Sequence, residues 1–263
     1  ELHVISAVDA LEITPSLADV DDEDPKRQFE ATATRAVEEV VELARPHLDG
    51  EIATTVQWGR PFRLITEYAA SHDIDLIVMG THGRSGLRRL VLGSVAEKVL
   101  RTTSVPLLLV PPGAAVDGVD VGYQEILLPT DGSQGAEAAV DWGLTLADTY
   151  DGTVHTIYSV DTSRFAGEGG MIGMYDALER TGEAALDTIR QQTREAGIDV
   201  TATLATGPAA RVIRSYSEDH DVDLIVMGTH GRSGVERYLI GSVTESVVRH
   251  AEVPVCCIPL QES

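Results

Sequence analysis

The chain has 263 residues, of which 43% are hydrophobic, and 42 acidic residues face 20 basic ones, for a formal net charge of -22. So acidic a surface repels phosphate backbones, which argues against sequence-independent nucleic-acid binding. No apolar run approaches the roughly 20 residues that cross a bilayer, and the first residues lack the basic start of a signal peptide. We therefore expect a soluble, cytoplasmic protein without a membrane partner.

The acidic residues are spread along the whole chain, and lysine occurs only at Lys26 and Lys98. This composition is typical of proteins from salt-loving organisms, in which concentrated salt screens the repulsion between carboxylates. We therefore hypothesise that the protein is halophilic.

An internal repeat sets the number of domains. Residues 75–86, Asp-Leu-Ile-Val-Met-Gly-Thr-His-Gly-Arg-Ser-Gly, recur letter for letter at residues 223–234. The register then continues through a Gly-Ser pair and a Val-Pro pair in each copy, which indicates a duplicated domain. We predict a first domain over residues 1–111, a linker over residues 112–124 and a second domain over residues 125–260, because Pro111 to Gln124 is rich in Pro, Gly, Ala and Asp and has no helical or strand periodicity.

The first copy follows the order of the second from Leu2 onward, but its beginning has no counterpart in the sequence. Asp9, at the end of its first predicted strand, corresponds to Asp161, so nothing matches residues 125–152. One strand, a loop and a helix are therefore expected to be absent from this domain. Either the sequence begins inside the natural first domain, or the first domain is degenerate.

The second copy alternates strand and helix patterns along its whole length. We predict strands over residues 126–129, 153–160, 200–205, 224–227 and 253–258, and helices over residues 136–150, 176–196, 209–218 and 243–250. Such alternation indicates an α/β fold with a doubly wound, mostly parallel five-stranded sheet in each domain. Cys256 and Cys257 are neighbours in the last apolar strand, so we expect two buried thiols and no disulfide.

One glycine-spaced loop occurs in both copies, between an apolar strand and a helix. Its pattern is Gly-x2-Gly-x9-Gly-Ser, from Gly80 to Ser94 and from Gly228 to Ser242. Glycine permits positive φ and close approach to an anion, and the following helix begins with unpaired N–H groups that its serine can cap. The loop lacks the Gly-Lys-Ser/Thr ending of a Walker A loop and the tighter glycine spacing of dinucleotide folds. Ordinary turn and cap chemistry is the alternative.

A second candidate segment follows the first strand of the second copy, with the sequence Pro129-Thr130-Asp131-Gly132-Ser133. Open parallel sheets bind ligands at the carboxyl ends of their strands, where Asp131 is predicted to lie. Its carboxylate can accept hydrogen bonds from ribose hydroxyls or an adenine amino group, and a helix N-cap is the alternative role.

Together, the Pro-Thr-Asp-Gly-Ser segment, the Val-Met-Gly-Thr-His-Gly-Arg-Ser-Gly loop, the Gly-Ser helix start and the closing Val-Pro strand resemble the universal stress protein family. The resemblance covers nearly the whole chain as two tandem domains, and the glycine spacing is that of the ATP-binding branch. It implies a Rossmann-like strand order of 3-2-1-4-5, pairing of domains through the last strand, and ATP as ligand, with Mg²⁺ or Mn²⁺ as its companion ion.

The resemblance also implies two sets of binding residues, one in each domain. The second-domain set is Pro129, Thr130, Asp131, Val160, Met227, Gly228, His230, Gly231, Arg232, Gly241, Ser242 and Val243. The first-domain set is Val8, Met79, Gly80, His82, Gly83, Arg84, Gly93, Ser94 and Val95. Because the counterpart of Asp131 is missing, we expect only the second site to be complete and the first domain to be less stable.

Several of these residues have a plain structural alternative. His82 and His230 can reach a phosphate or support a turn. Arg84 and Arg232 can neutralise phosphate charge or lie on the surface. Residues 165–174 form a mobile flap over the nucleotide, a contact for a partner, or a simple flexible loop. The last strands, Val105 to Val110 and Val253 to Ile258, are expected to pair with each other or across a homodimer, because open apolar edges aggregate. We predict no metal site made by the protein alone.

Three functions remain open from the sequence. The first is an ATP-binding stress or regulatory protein that responds to nucleotide. The alternatives are an enzyme of the adenine-nucleotide hydrolase type and a nucleotide-free dimerisation scaffold. No nucleophile stands in a recognisable catalytic motif, so we predict no catalytic residue and at most slow ATP hydrolysis.

Overall fold

A computed structural model describes residues 1–9, 25–83, 92–114, 122–161, 171–231 and 240–260. The chain divides into two compact units, which are Glu1–Ile74 and Asp75–Ser263.

The first unit is a two-stranded parallel sheet with two helices. Its elements are β1 (Leu2–Val8), α1 (Pro25–Ala44), β2 (Ile52–Trp58) and α2 (Pro61–Ser71), and a 3-10 turn at Arg45–His47 follows α1. β1 and β2 are in register along their full length. Pro61 begins α2, which is where proline fits best because the first N–H of a helix needs no partner.

The second unit contains a seven-stranded sheet in the order β3-β4-β9-β8-β5-β6-β7. Its strands are β3 (Ile77–Gly80), β4 (Leu107–Val110), β5 (Glu125–Thr130), β6 (Thr153–Val160), β7 (Val200–Thr206), β8 (Leu224–Gly228) and β9 (Val255–Ile258). Its helices are α3 (Ser94–Thr102), α4 (Gln134–Tyr150), α5 (Met171–Ala196), α6 (Ala209–Asp219) and α7 (Ser242–His250). Among the described residues, every strand pair of this sheet is parallel except β4 with β9.

The core of the second unit is built on the central strands of the sheet. β8 is apolar on both faces and buried from Leu224 to Met227, as parallel strands covered on both sides are. α4 packs against β5 and β8, and Gly143 permits this because a Cβ there would collide with Leu128. Cys256 and Cys257 are buried and free, as predicted.

The α/β class and the mostly parallel strand order are confirmed. Within the second repeat the order β7-β6-β5-β8-β9 is the expected 3-2-1-4-5. The strands of the first repeat are divided between the two sheets. In the second repeat β5 lies between β8 and β6, but their counterparts β3 and β1 have no such strand between them in this sequence.

Some predicted boundaries differ from the structure. α5 begins at Met171, so the end of the predicted glycine-rich segment is helical, while residues 162–170 lie outside the described residues. β9 begins at Val255, two residues later than predicted, because proline at position 254 has no N–H for a ladder. β4 begins after Pro106 for the same reason.

Candidate functional site

A cleft of about 330 Å³ lies at the carboxyl ends of β5 and β8. The predicted residues that line it are Pro129, Thr130, Asp131, Met227, Gly228, His230, Gly231, Gly241, Ser242 and Val243. The structure therefore brings together two segments about a hundred residues apart in sequence, as expected for the carboxyl edge of an open parallel sheet.

The glycine loop ends in a tight entry to α7. The Gly241 N–H donates to the Thr229 carbonyl at 2.8 Å, and the Glu245 N–H donates to the Gly241 carbonyl at 2.9 Å. The N–H groups of the first turn before Glu245 have no acceptor within the helix, and their residues, 242–244, line the cleft. They offer hydrogen-bond donors and the positive end of the helix dipole to an anion.

The predicted serine cap is wrong. Gly241 occupies the N-cap position without a side-chain cap, and Ser242 is the first helical residue. Thr244 instead ties the helix to the strand, because its hydroxyl donates to the Gly228 carbonyl at 2.8 Å. The Ser242 side chain is left exposed at the mouth of the cleft.

The loop glycines are required by close approach. A Cβ on Gly231 would lie 2.7 Å from Asp131 Oδ2, and one on Gly241 would lie 3.3 Å from the Thr229 carbonyl oxygen. Neither residue has positive φ, nor does Gly228, so of the two properties that glycine offers here the structure uses close approach. Positive φ occurs across the cleft at Gly132, where φ is 74°.

Asp131 belongs to a turn that it helps to form. The Ser133 N–H donates to Asp131 Oδ1 at 3.0 Å, and the Gly132 N–H donates to Thr130 Oγ1 at 3.1 Å. The N-cap of α4 is Ser133, whose hydroxyl oxygen accepts from the Ala136 N–H. One carboxylate oxygen of Asp131 thus fixes the turn, and the other faces Gly231.

His230 has one nitrogen held and one without a partner. Its Nδ1 lies 2.9 Å from the hydroxyl oxygen of Thr229, a residue that is itself buried. Its Nε2 is buried and has no hydrogen-bond partner among the described residues. Because buried polar nitrogens are normally paired, this atom in a cleft lining fits a ligand group.

The apolar wall of the cleft differs in part from the expected one. Val160 packs with Tyr158 and Leu186 at 2% exposure and is absent from the lining of the cleft. The lining residues that sequence reasoning missed are Ala136, Ile157, Ser159, Ala209, Ile213 and Thr244. Period-two alternation along β6 could have found Ile157 and Ser159, since alternate residues of a strand share a face.

Comparison with known proteins identifies the family. The model of the universal stress protein family matches residues 1–111 and 122–259. The chain belongs to the universal stress protein family. A universal stress protein of Methanocaldococcus jannaschii is 36% identical over 139 residues, which is 52% of this chain and 82% of that protein.

Other members of the family support the same assignment. A putative universal stress protein of Staphylococcus aureus is 30% identical over 149 residues, covering 54% of this chain and 87% of that protein. The crystal structure of a universal stress protein from Archaeoglobus fulgidus has a TM-score of 0.70 at 21% identity and covers 98% of this chain and 85% of its own. At that identity the likeness concerns the fold alone. No described helix is long and apolar enough to cross a membrane.

At the described ends of its loop, the first repeat of this universal stress protein repeats one backbone hydrogen bond of the second but lacks a counterpart of Asp131. The Gly93 N–H donates to the Thr81 carbonyl at 2.8 Å, as Gly241 does to Thr229. Among the described residues, a Cβ on Gly83 would meet nothing within 4 Å, whereas its counterpart Gly231 faces Asp131. The difference follows from the missing counterpart of β5 and its turn.

The predicted first-site residues are divided between the two units. Val8 belongs to the first unit, and the second unit contains Met79, Gly80, His82, Gly83, Gly93, Ser94 and Val95. The two predicted arginines, Arg84 and Arg232, lie outside the described residues.

Proposed function

We propose that this universal stress protein binds ATP in the cleft of its second repeat and acts as a nucleotide-responsive stress or regulatory protein. The observation that carries the proposal is the approach of Asp131 to Gly231. Asp131 Oδ2 lies 2.7 Å from the position that a Cβ at residue 231 would take, which is too close for any side chain, and both residues line the same cleft as the open N-terminus of α7. An acceptor group and a set of anion-binding donors thus share one small cleft.

The residues present fit the parts of an adenine nucleotide. We propose that Met227, Ile157 and Ile213 contact the base and that Asp131 accepts hydrogen bonds from ribose hydroxyls or the adenine amino group. The free N–H groups at the start of α7 and the unpartnered Nε2 of His230 are assigned to the phosphates.

Charge favours a companion cation for the nucleotide. The protein has a net charge of -22, and Asp131 lines the same cleft as the proposed phosphate donors. Mg²⁺ is usually bound through substrate phosphates and one or two carboxylates, and it would lower the repulsion between nucleotide and protein. We therefore propose ATP with Mg²⁺ or Mn²⁺, with binding and not catalysis as the task of the site.

The proposed regulatory output is the pairing of the two repeats. The antiparallel ladder of β4 with β9 joins the last strands of the repeats, and β9 pairs on its other side with β8, which ends at Gly228 in the cleft. We propose that this pairing, within one chain or in a homodimer, presents a surface that depends on bound nucleotide.

The test uses Gly231→Val with Gly83→Val as its matched control. Both positions are the second glycine of the loop, but only a Cβ at position 231 meets the Asp131 carboxylate. We expect isothermal titration calorimetry to show ATP binding that Gly231→Val weakens at least about tenfold, the usual effect of losing one charge-assisted contact. Gly83→Val should bind ATP as the unaltered protein does.

Three outcomes would contradict the proposal. Equal ATP affinity in Gly231→Val and the unaltered protein would show that the site is misassigned, and absence of binding in both would favour a nucleotide-free scaffold. Rapid release of phosphate from ATP that is lost in Asp131→Ala would favour the hydrolase alternative. Mass spectrometry of any small molecule retained on purification identifies the nucleotide directly.

A further inference from the structure

A second cleft of about 480 Å³ lies between the loop of the first repeat and two helices of the second. Its walls are the loop at Thr81 and His82, residues 111–113 after β4, part of α6, and the end of α7. All of these residues belong to the second compact unit. The cleft is a feature of the two repeats together, because neither repeat alone forms its walls.

Arg214 of α6 is an unusual side chain in this cleft. Its Nε is fully buried and has no hydrogen-bond partner, and its guanidinium forms no ion pair with any described residue. The Arg214 side chain as a whole is half-buried, but a buried N–H donor without an acceptor is costly, and acidic residues outnumber basic ones two to one in this chain. An arginine left unpaired under these conditions points to an anionic ligand.

The surroundings of Arg214 strengthen this conclusion. Arg249 lines the same cleft, and its guanidinium is fixed by Glu245 at 2.8 Å and Glu97 at 3.6 Å. His82 contributes a buried Nε2 without a partner. The acidic residues of the lining, Glu218 and Glu252, are both exposed, so they can turn towards water.

The end of α7 adds acceptors to these donors. The last carbonyl groups of a helix have no intrahelical N–H partner, and residues 248–251 line the cleft. The Nδ1 of His250 is already engaged with the Ser246 carbonyl at 2.8 Å. A ligand that matches this cleft therefore has an anionic group, which accepts hydrogen bonds from Arg214, and hydroxyl or amino groups, which donate to the last carbonyl groups of α7.

We propose that this cleft binds a small phosphate-bearing molecule, with Arg214 as its principal contact. Arginine presents a planar fork of donors that matches phosphate oxygens, and the buried Nε gains the acceptor it otherwise lacks. We expect the site in the second repeat and not in the first. Thr66 and Ala70 occupy the first-repeat positions that correspond to Arg214 and Glu218.

This site is separate from the nucleotide cleft although the same helices serve both. Ala209 and Ile213 of α6 line the nucleotide cleft, whereas Arg214 lines the second one. The start of α7 faces the first cleft and its end faces the second. A substitution of Arg214 should therefore leave the nucleotide-binding groups unchanged.

The experiment is an NMR titration of the full chain with inorganic phosphate, at constant ionic strength, that follows the Nε–H resonance of Arg214. We expect a saturable shift of this resonance. Arg214→Gln should weaken phosphate binding at this site by about tenfold or more, as loss of a charged hydrogen-bond donor does. Arg211→Gln is the matched control, because Arg211 is an exposed arginine three residues earlier on α6 and does not line the cleft.

The outcomes separate this site from the nucleotide site. An Arg214 resonance that does not move at saturating phosphate overturns the proposal, and so does equal binding by Arg214→Gln and Arg211→Gln. A shift that persists in Gly231→Val supports a site of its own, whereas one abolished by Gly231→Val would place the phosphate in the nucleotide cleft and overturn the proposal. Tighter binding of glycerol phosphate than of inorganic phosphate identifies an organic phosphate as ligand, and weaker binding identifies the free ion.

Discussion

Leu108 of β4 lies directly opposite Cys256 of β9 in the antiparallel ladder. The two residues hold the same position in the sequence repeat, since the repeated segments are offset by 148 residues and 108 plus 148 is 256. On either side, Leu107 pairs with Cys257 and Leu109 with Val255. The ladder therefore has a local two-fold axis through this pair, and the repeats meet there as equivalent surfaces do in a symmetric dimer.

The same symmetry produces a ring of four charges between α3 and α7. Arg101 contacts Glu97 at 3.1 Å and Glu245 at 3.5 Å, and Arg249 contacts Glu245 at 2.8 Å and Glu97 at 3.6 Å. We predict that Glu97→Gln with Glu245→Gln lowers the free energy of unfolding by about 1–2 kcal/mol, because two arginines are left facing each other in a half-buried network. Urea unfolding at low salt measures this change.

The matched control for the ring is an exposed acidic residue that pairs on the surface of α5. Glu183 lies 3.3 Å from Arg190, and its side chain is half exposed. Glu183→Gln should change the free energy of unfolding by less than about 0.5 kcal/mol. Equal effects of the two changes would mean that the ring adds nothing to the pairing of the repeats.

Much of the fold could be predicted from the sequence because its signals are local. The apolar run at 224–227 and the strand-helix alternation of the second repeat are properties of short windows, and the structure confirms the mostly parallel α/β sheet that they imply. The strand order itself was implied by the resemblance to the universal stress protein family. The division of the first-repeat strands between two sheets could not be predicted from short windows of sequence. It depends on how strands that are far apart in the sequence pair with one another, and that is a long-range property of the chain.

At the candidate site, too, the sequence predicts some residues and not others. Asp131 and the loop glycines stand out because turn segments carry strong residue preferences. The cap at Gly241 and the contact of Gly231 with Asp131 depend on backbone distances that no pattern encodes. Ala209 and Ile213 were missed because a helix residue that lines a cleft has the same apolar spacing as one that packs in the core.

A buried network at the amino end of β6 gives a second prediction. His155 Nδ1 lies 2.9 Å from the Tyr216 hydroxyl, and Nε2 lies 2.6 Å from Glu125 Oε2. Tyr216→Phe removes the hydrogen-bond partner that Nδ1 has among the described residues, in a side chain that is 9% exposed. We expect a loss of about 1–3 kcal/mol in the free energy of unfolding, which is the cost of leaving a buried polar atom unsatisfied.

The first repeat provides the control for this change. His3 Nδ1 lies 2.9 Å from the Tyr68 hydroxyl, but the side chain of His3 is 15% exposed and its pair belongs to the other compact unit. Tyr68→Phe should therefore leave the unfolding of the second unit unchanged. Hydrogen exchange of β6 amides reports on that unit, and equal loss of protection in both variants would contradict the prediction.

The two neighbouring thiols of β9 predict a dependence of stability on pH. Burial raises the pKa of Cys256 to about 12 and that of Cys257 well above 9.0. A pKa raised in the folded state means that stability is complete below the unfolded pKa and is lost as the pH rises towards the folded one. Between pH 8 and pH 10 we expect a loss of about 1.4 kcal/mol for each thiol.

The measurement compares the unaltered protein with the double variant Cys256→Ala, Cys257→Ala by urea unfolding across this pH range. The variant is expected to be less stable at every pH below 8, because it loses buried volume, but its stability should fall less steeply between pH 8 and pH 10. Parallel pH profiles would show that the thiols do not cause the loss.

Salt should stabilise the protein as a whole although it weakens the ring of Arg101, Arg249 and their glutamates. The ring involves four charges, whereas the net charge of -22 acts over the entire surface. Screening shortens the range of this repulsion from about 10 Å at 0.1 M salt to about 3 Å at 1 M. We therefore predict that the thermal midpoint rises by several degrees from low to molar KCl, as measured by circular dichroism.

A charge-neutralised variant distinguishes screening from other salt effects. Glu38, Glu39 and Glu42 lie exposed on α1, and changing all three to glutamine removes local repulsion without altering the core. In low salt this variant should melt at a higher temperature than the unaltered protein, and its gain on adding KCl should be smaller. A midpoint that stays flat with KCl in the unaltered protein would contradict the hypothesis of a halophilic surface, and an equal gain in both proteins would assign the effect to something other than charge.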